Sequence, residues 1–270
     1  MEQSRSYLLE DREKAKEESL RLKAQARMLF ELELSALKKV GLDLPKCILD
    51  IGCGNGSYLE LLALQFPNCQ LVGVDRNTTL LEDLELVSKA KTKVLDITHS
   101  ESLASVIQEF RPDTLISRYV LQHLSATGMS QILKSVKENC DNSGRLILID
   151  TNDLEIRFDP PCNALSAFIA LKGKKQSELG GNRAIGSKLK SLLQGNGFRD
   201  IREAKLEFTN CNLGWDTWMA VFWPVLQSGL PEAPTNEQKE LLRLALSWFE
   251  CAKKDNAYLA SWPVYYVSGK

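Results

Sequence analysis

Metal-binding patterns are scarce in this chain. It has two histidines, His99 and His123, and seven cysteines with no Cys-x-x-Cys pair among them. The common zinc arrangements are excluded, and no metal site is expected. An odd number of scattered thiols and a polar start, Met1-Glu2-Gln3-Ser4-Arg5, predict reduced cysteines and a cytoplasmic location. No apolar run is long enough to cross a bilayer, so no membrane partner is expected. Excess charge is also missing. The 34 basic and 35 acidic residues give a net charge of -1, which offers no basic surface to nucleic acid. Internal repeats and low-complexity tracts are absent. What is present is ordinary for a globular protein: 270 residues, 44% hydrophobic and 26% charged, enough for one large domain or a domain with a cap.

The stretch Cys47-Ile48-Leu49-Asp50-Ile51-Gly52-Cys53-Gly54-Asn55-Gly56 departs from this background. A short apolar run carries an acid near its end, a glycine-rich turn follows, and a helical pattern opens at Ser57. Strand, glycine turn and helix begin a nucleotide-binding βαβ unit. The next apolar run, 71–74, ends in Asp75, about twenty residues on, where such units place an acid for ribose hydroxyls. The glycine spacing is Gly-x-Gly-x-Gly, not the Gly-x-Gly-x-x-Gly of a dinucleotide site. Asp50 beside the turn would repel a phosphate and suits a ligand with an ammonium group. S-adenosylmethionine is such a ligand.

Further apolar strands follow at 93–95, 114–117 and 145–149, the first and last closed by Asp96 and Asp150. Helical segments such as 103–110 and 129–139 separate them. This alternation predicts a parallel sheet with helices on both faces and ligands at the carboxyl edge of the strands. Strand-period alternation recurs at 201–208, and 263–267 is a last strand, so seven strands are expected in a Rossmann-like, mostly parallel α/β sheet. Residues 1–44 read as an N-terminal helical cap and 45–270 as the main domain. Apolar Leu20, Leu22, Met28, Leu29, Leu32 and Leu37 define the cap's buried face. Two stretches, about 151–185 and 209–234, have no place in the sheet and are expected to form a helical lid over the ligand edge. In the second, Trp215, Trp218, Phe222 and Trp223 would wall a pocket or simply pack as a helix.

The motif Leu49–Gly56 and the strand order resemble the class I S-adenosylmethionine-dependent methyltransferases. Gly181-Asn182-Arg183-Ala184-Ile185-Gly186 resembles a phrase of their small-molecule branch. The resemblance implies S-adenosylmethionine as cofactor and methyl transfer to a small, partly apolar organic acceptor. Gly52, Cys53, Gly54, Asn55 and Gly56 would bring backbone to the cofactor. Asp50 would orient its ammonium and Asp75 its ribose, with Arg76 and Asn77 beside the adenine. Asp96 would accept from the adenine amino group, with the Ile97 N–H on a ring nitrogen; alternatively Asp96 caps the turn before Thr98. Ser117, Arg118 and Tyr119 would lie near the methionine end, where Arg118 could hold a carboxylate of the acceptor or the cofactor's own. Tyr119 could offer a phenol to the acceptor, and His123 could act as a general base or pack on the apolar face it shares with Tyr119, Val120 and Leu124. Tyr7, with Arg21, Leu22 and Gln25, resembles a leading helix that folds over the cofactor. Asp159-Pro160-Pro161-Cys162 is similar to an amino-methyltransferase phrase, but it follows the wrong strand and reads as a rigid loop. A nicotinamide oxidoreductase, or a protein that binds the cofactor without transferring methyl groups, would share this layout.

Overall fold

A computed structural model describes residues 12–85, 90–141, 143–231 and 233–270. Tyr7 lies outside them. A long helix, α1 (Arg12–Lys39), precedes the sheet. It ends because Gly41 adopts a left-handed φ of 98°, so that Leu42 N–H can close back on the Leu37 carbonyl at 2.9 Å.

The parallel strands follow: β1 (Cys47–Ile51), β2 (Gln70–Asp75), β3 (Lys91–Val94), β4 (Thr114–Arg118) and β5 (Arg145–Thr151). Between them run α2 (Ser57–Gln65), α3 (Thr78–Glu85), α4 (Ser100–Phe110) and α5 (Ala126–Asn139). The remainder is β6 (Arg157–Asp159), α6 (Asn163–Glu178), α7 (Leu189–Gly195), β7 (Arg202–Thr209), α8 (Asn210–Leu213), α9 (Trp215–Gln227), α10 (Asn236–Ala252) and β8 (Leu259–Gly269). Strand order is β3-β2-β1-β4-β5-β8-β6, with β7 also paired to β8. The last strand, β8, is antiparallel to β5, β6 and β7.

The expected α/β sheet is therefore present, with eight strands instead of seven. The additional one, β6, arises because β8 spans eleven residues and outruns β5. Its free amino-terminal part pairs Ser261, Ala260 and Leu259 with Arg157, Phe158 and Asp159. Consequently the stretch from 151 to 185 is not wholly outside the sheet: Thr151 completes β5, and residues 157–159 form β6.

Alternation along the strands divides the core. Ile48, Leu71, Ile116, Ile147 and Ile149 pack on the face covered by α1, α2, α6, α9 and α10. Leu49, Val72, Leu115, Leu146 and Leu148 pack on the face covered by α4, α5 and α7. The buried stripe of α1 includes Ala26, Leu29, Phe30, Leu34 and Leu37. Leu20 and Met28, expected on that stripe, are exposed, since the helical period carries them to the outer side.

Candidate cofactor and acceptor site

The carboxyl ends of β1, β2 and β4 open into a cavity of about 520 Å³. Its floor is the glycine turn after β1. Gly52 has a φ of 80°, and a Cβ there would lie 2.5 Å from a Val120 methyl, so only glycine lets the turn meet the loop after β4. Backbone N–H groups of Gly52 and Cys53 both donate to the Val74 carbonyl, at 2.8 and 3.0 Å.

Three carboxylates stand around this floor. Asp75, at the end of β2, accepts the Gly54 N–H on Oδ2 at 2.8 Å and the Asn77 N–H on Oδ1 at 2.9 Å. Two fixed donors hold the carboxylate plane while leaving each oxygen further lone pairs. Burial nonetheless raises its pKa. Asp50 is 2% exposed, and its Oδ1 has no hydrogen-bond partner. Burial pushes its pKa to about 7 against the pull of Arg118. Asp96 accepts both the N–H and the hydroxyl of Thr98 on Oδ1, at 2.9 and 2.6 Å. Those bonds outweigh its partial burial and hold its pKa below the usual carboxylate range. The capping role is thus real, and Asp96 and Ile97 line the cavity as well.

Cys53, Gly54, Asn55, Arg76 and Arg118 also line it. Asn55 does so with its side chain already engaged: Nδ2 donates to the Ser19 carbonyl and hydroxyl at 2.8 and 2.9 Å, tying the turn to α1. Gly56, Asn77 and Ser117 fall outside the lining. Gly56 caps α2, Asn77 Oδ1 accepts the Leu80 N–H at the start of α3, and Ser117 is fully buried in β4.

The loop after β4 differs from the helical face expected of it. Tyr119 has a left-handed φ of 58°, and only a single 3-10 turn, Leu121–His123, follows. The kink puts Tyr119, Val120, His123 and Leu124 all on the cavity wall. Arg118 is sandwiched between the Tyr58 and Tyr119 rings, 4.5 and 4.4 Å from their centroids. Its guanidinium pairs with the fully buried Glu33 of α1 at 2.9 Å. Its charge is therefore matched within the protein, not held in reserve for a ligand carboxylate. Burial drives the His123 pKa down to about 3, with Arg183, Lys172, Arg21 and Arg76 adding to the shift. The imidazole is neutral at pH 7 but holds a proton too weakly for an efficient base.

Three helices complete the wall. From α1 come Arg21, Leu22 and Gln25; from α6, Lys172, Lys175 and Gln176; from α9, Phe222, Pro224 and Val225. Of the four aromatics in α9, Phe222 alone reaches the cavity, stacked on Trp262 at 4.7 Å. Trp218 is buried in the core, with its indole N–H on the Phe208 carbonyl at 3.1 Å. Arg183 was not anticipated as a lining residue. It forks onto Asp153 at 2.6 and 2.9 Å and also donates to the Gln122 side chain. Around it, Asn182 N–H bonds the Gln122 carbonyl at 2.8 Å and Asp153 N–H the Arg183 carbonyl at 2.8 Å, so the glycine-flanked phrase locks the ends of β4 and β5 together. Lys172 was missed because it opens a lysine-rich run that reads as a solvated face.

Known proteins match this arrangement. Residues 49–146 match a family model described as a methyltransferase domain. A trans-aconitate 2-methyltransferase of Methylobacterium radiotolerans is 31% identical over 88 residues, 33% of this chain and 32% of that protein. A carboxy-S-adenosyl-L-methionine synthase of Trichodesmium erythraeum is 27% identical over 146 residues, 49% of this chain and 53% of that protein. The matched region thus spans between a third and about half the length of these relatives. A S-adenosylmethionine-dependent methyltransferase of Archaeoglobus fulgidus shares the fold, with a TM-score of 0.52 and 16% identity over 93% of this chain and 94% of that one. The chain has the fold of the class I S-adenosylmethionine-dependent methyltransferases, and its residues 49–146 match a methyltransferase-domain model.

Proposed function

We propose that this protein transfers a methyl group from S-adenosylmethionine to a small, partly apolar organic molecule. The observation that carries the reading is the carboxyl-edge cavity with Asp50 Oδ1 buried in its wall and unpartnered. A buried acceptor without a donor is costly unless a ligand supplies one, and an ammonium does so. Asp75, already aligned by two backbone donors, would take the ribose hydroxyls, and Asp96 with Ile97 the adenine edge. The Asp50 carboxylate beside the glycine turn disfavours a phosphate and supports an adenosyl group without one. When bound, the sulfonium supplies a methyl carbon already activated for attack.

The protein's part is alignment and exclusion of water. Alignment of two reactants can lower a barrier by several kcal/mol. Tyr119, Val120, Phe222 and Leu124 would hold the acceptor's apolar portion, and α1, α6 and α9 would shut out solvent as a lid. His123, a weak base here, would serve as a neutral hydrogen-bonding wall. The match to a trans-aconitate methyltransferase supports a small organic acceptor. Among the described residues no helix is long and apolar enough to cross a membrane, and the seven cysteines are free thiols, which suits a reducing cytoplasm.

Calorimetric titration with S-adenosylmethionine, S-adenosylhomocysteine and NADH tests the reading. Binding of the two sulfur ligands without NADH is expected. Binding of NADH without S-adenosylhomocysteine would overturn it.

A further inference from the structure

The cavity is electrically lopsided. Asp50, Asp75 and Asp96 sit at its strand end with Arg76 and the Glu33-paired Arg118, while Arg21, Lys172, Lys175 and Arg183 sit on its helix side against the single carboxylate of Glu18. Two of the helix-side cations are matched by the protein itself. Arg21 pairs with Glu18 at 2.5 Å, and Arg183 pairs with Asp153 at 2.6 Å. Lys172 and Lys175 have no carboxylate within ion-pair distance among the described residues. Lys172 Nζ donates to the Val225 carbonyl at 2.9 Å, and Lys175 Nζ to that of Ser228 at 3.2 Å. An ammonium has three donors, so each retains two.

We infer that the methyl acceptor carries an anionic group, a carboxylate or a phosphate ester, which Lys172 binds between α6 and α9 with Lys175 at the rim. The inference rests on the methyltransferase reading and names the substrate class of the same site. The groups facing Lys172 fit it. Arg183 follows α6, Arg21 lies on α1, and both repel its charge; Asp153 after β5 and Glu18 on α1 attract it but are committed to those same arginines. His123, after β4, feels Lys172, Arg183 and Arg21 together. An anion placed among these groups relieves every one of the repulsions. Burial pushes the Lys172 amine well below its usual pKa, and an anion beside it would favour the charged ammonium. The two charge poles then separate the ligands: the cationic cofactor belongs at the strand end and the anionic acceptor at the helix end.

The test uses the full chain saturated with S-adenosylhomocysteine, titrated calorimetrically with malonate, inorganic phosphate and uncharged malonamide at pH 7.5. At least one anion should bind, at least tenfold more tightly than malonamide. Malonate preference indicates a carboxylate acceptor, and phosphate preference a phosphate ester. Lys172→Met should weaken that anion at least tenfold and change S-adenosylhomocysteine affinity less than twofold. The wild-type preference for an anion over malonamide is itself a readout that does not depend on the variant folding. No anion preference, or unchanged anion affinity in a folded Lys172→Met, overturns the inference and leaves the methyltransferase reading standing. Failure to bind S-adenosylhomocysteine at the outset overturns both.

Discussion

At the strand end of the cavity the polar groups are short carboxylates seated on sheet termini, and two of them are fixed by backbone or neighbouring side-chain donors. At the helix end they are long cationic side chains on α1, on α6 and in the loop after it, each bonded to its own carboxylate or to a backbone carbonyl. The difference follows from what each element can hold still. A parallel sheet fixes its strand ends through ladders on both sides, so an aspartate there has little freedom to lose. A helix laid over the sheet is fixed by packing alone, and its lysines keep their rotamers. The strand end is therefore suited to a ligand whose shape is invariant, and the helix end to one that differs from enzyme to enzyme.

Arg118 joins the two ends, and removing it should produce the largest change. Arg118→Leu leaves Glu33 buried and without its charge partner, a situation that costs about 3–5 kcal/mol. Urea unfolding should register that loss. The double variant Arg118→Leu/Glu33→Leu should recover most of it, because the penalty lies in the unpaired charge and not in the missing contact. If the single variant is as stable as wild type, the pair is not what couples α1 to β4.

Asp75→Ala tests the strand end directly. Two charge-assisted hydrogen bonds to ribose would be lost, weakening S-adenosylhomocysteine by about 2–3 kcal/mol, or roughly thirty- to a hundred-and-fiftyfold. Calorimetry on the folded variant measures it. A collapse of thermal stability with unchanged affinity per folded molecule would make Asp75 a brace for the turn and nothing more.

The pH response of the strand end has a definite sign. Asp50 titrates near 7 in the empty protein because burial disfavours its charge. Below that pH it is protonated, so binding an ammonium must expel a proton. Affinity for S-adenosylhomocysteine should fall as pH drops below about 7, by at most about tenfold per unit, and Asp50→Asn should flatten the profile. Stability runs the opposite way. A carboxyl whose pKa is higher folded than unfolded stabilises fully below the unfolded value, near 4, and that stabilisation is lost as pH rises to about 7. Asp150, also pushed to about 7 by burial, contributes to the same loss without lining the cavity. Asp50→Asn should thus remove most of the pH dependence of binding, leaving what Asp75 contributes, but only part of that of stability.

The strand end was legible in the sequence because its signals are local. Asp50, the glycine turn and Asp75 lie within one βαβ unit, and strand period alone places them on one edge. Their finer roles were not all legible: Asn55 grips Ser19, thirty-six positions earlier, and no local pattern encodes that. The helix end was nearly silent. Lys172 lies in a lysine-rich run that looks solvated, and only the packing of α6 against α9 turns it inward. Arg118 looked like a ligand for an anion until α1 brought Glu33 to it. Strand β6 escaped notice because three residues carry no period; it exists only because β8 is long enough to leave part of itself unpaired.

The smallest expected effect probes how the two ends are held together. Asn55 belongs to the glycine turn, yet its amide is spent on α1, donating to both the Ser19 carbonyl and hydroxyl. Asn55→Ala removes both bonds, at a cost of about 1 kcal/mol. The backbone of the turn should survive, since Asn55 Oδ1 also accepts the Ser57 N–H at 3.2 Å but the Gly56 N–H holds the Cys53 carbonyl at 3.0 Å without it. The loss should therefore appear as faster amide hydrogen exchange in the first turns of α1, with little change in β1 and β2. S-adenosylhomocysteine, by bridging turn and helix, should restore much of that protection. Uniform acceleration across the sheet would instead mean that Asn55 supports the turn itself, and that α1 is anchored mainly by its apolar stripe and the Glu33–Arg118 pair.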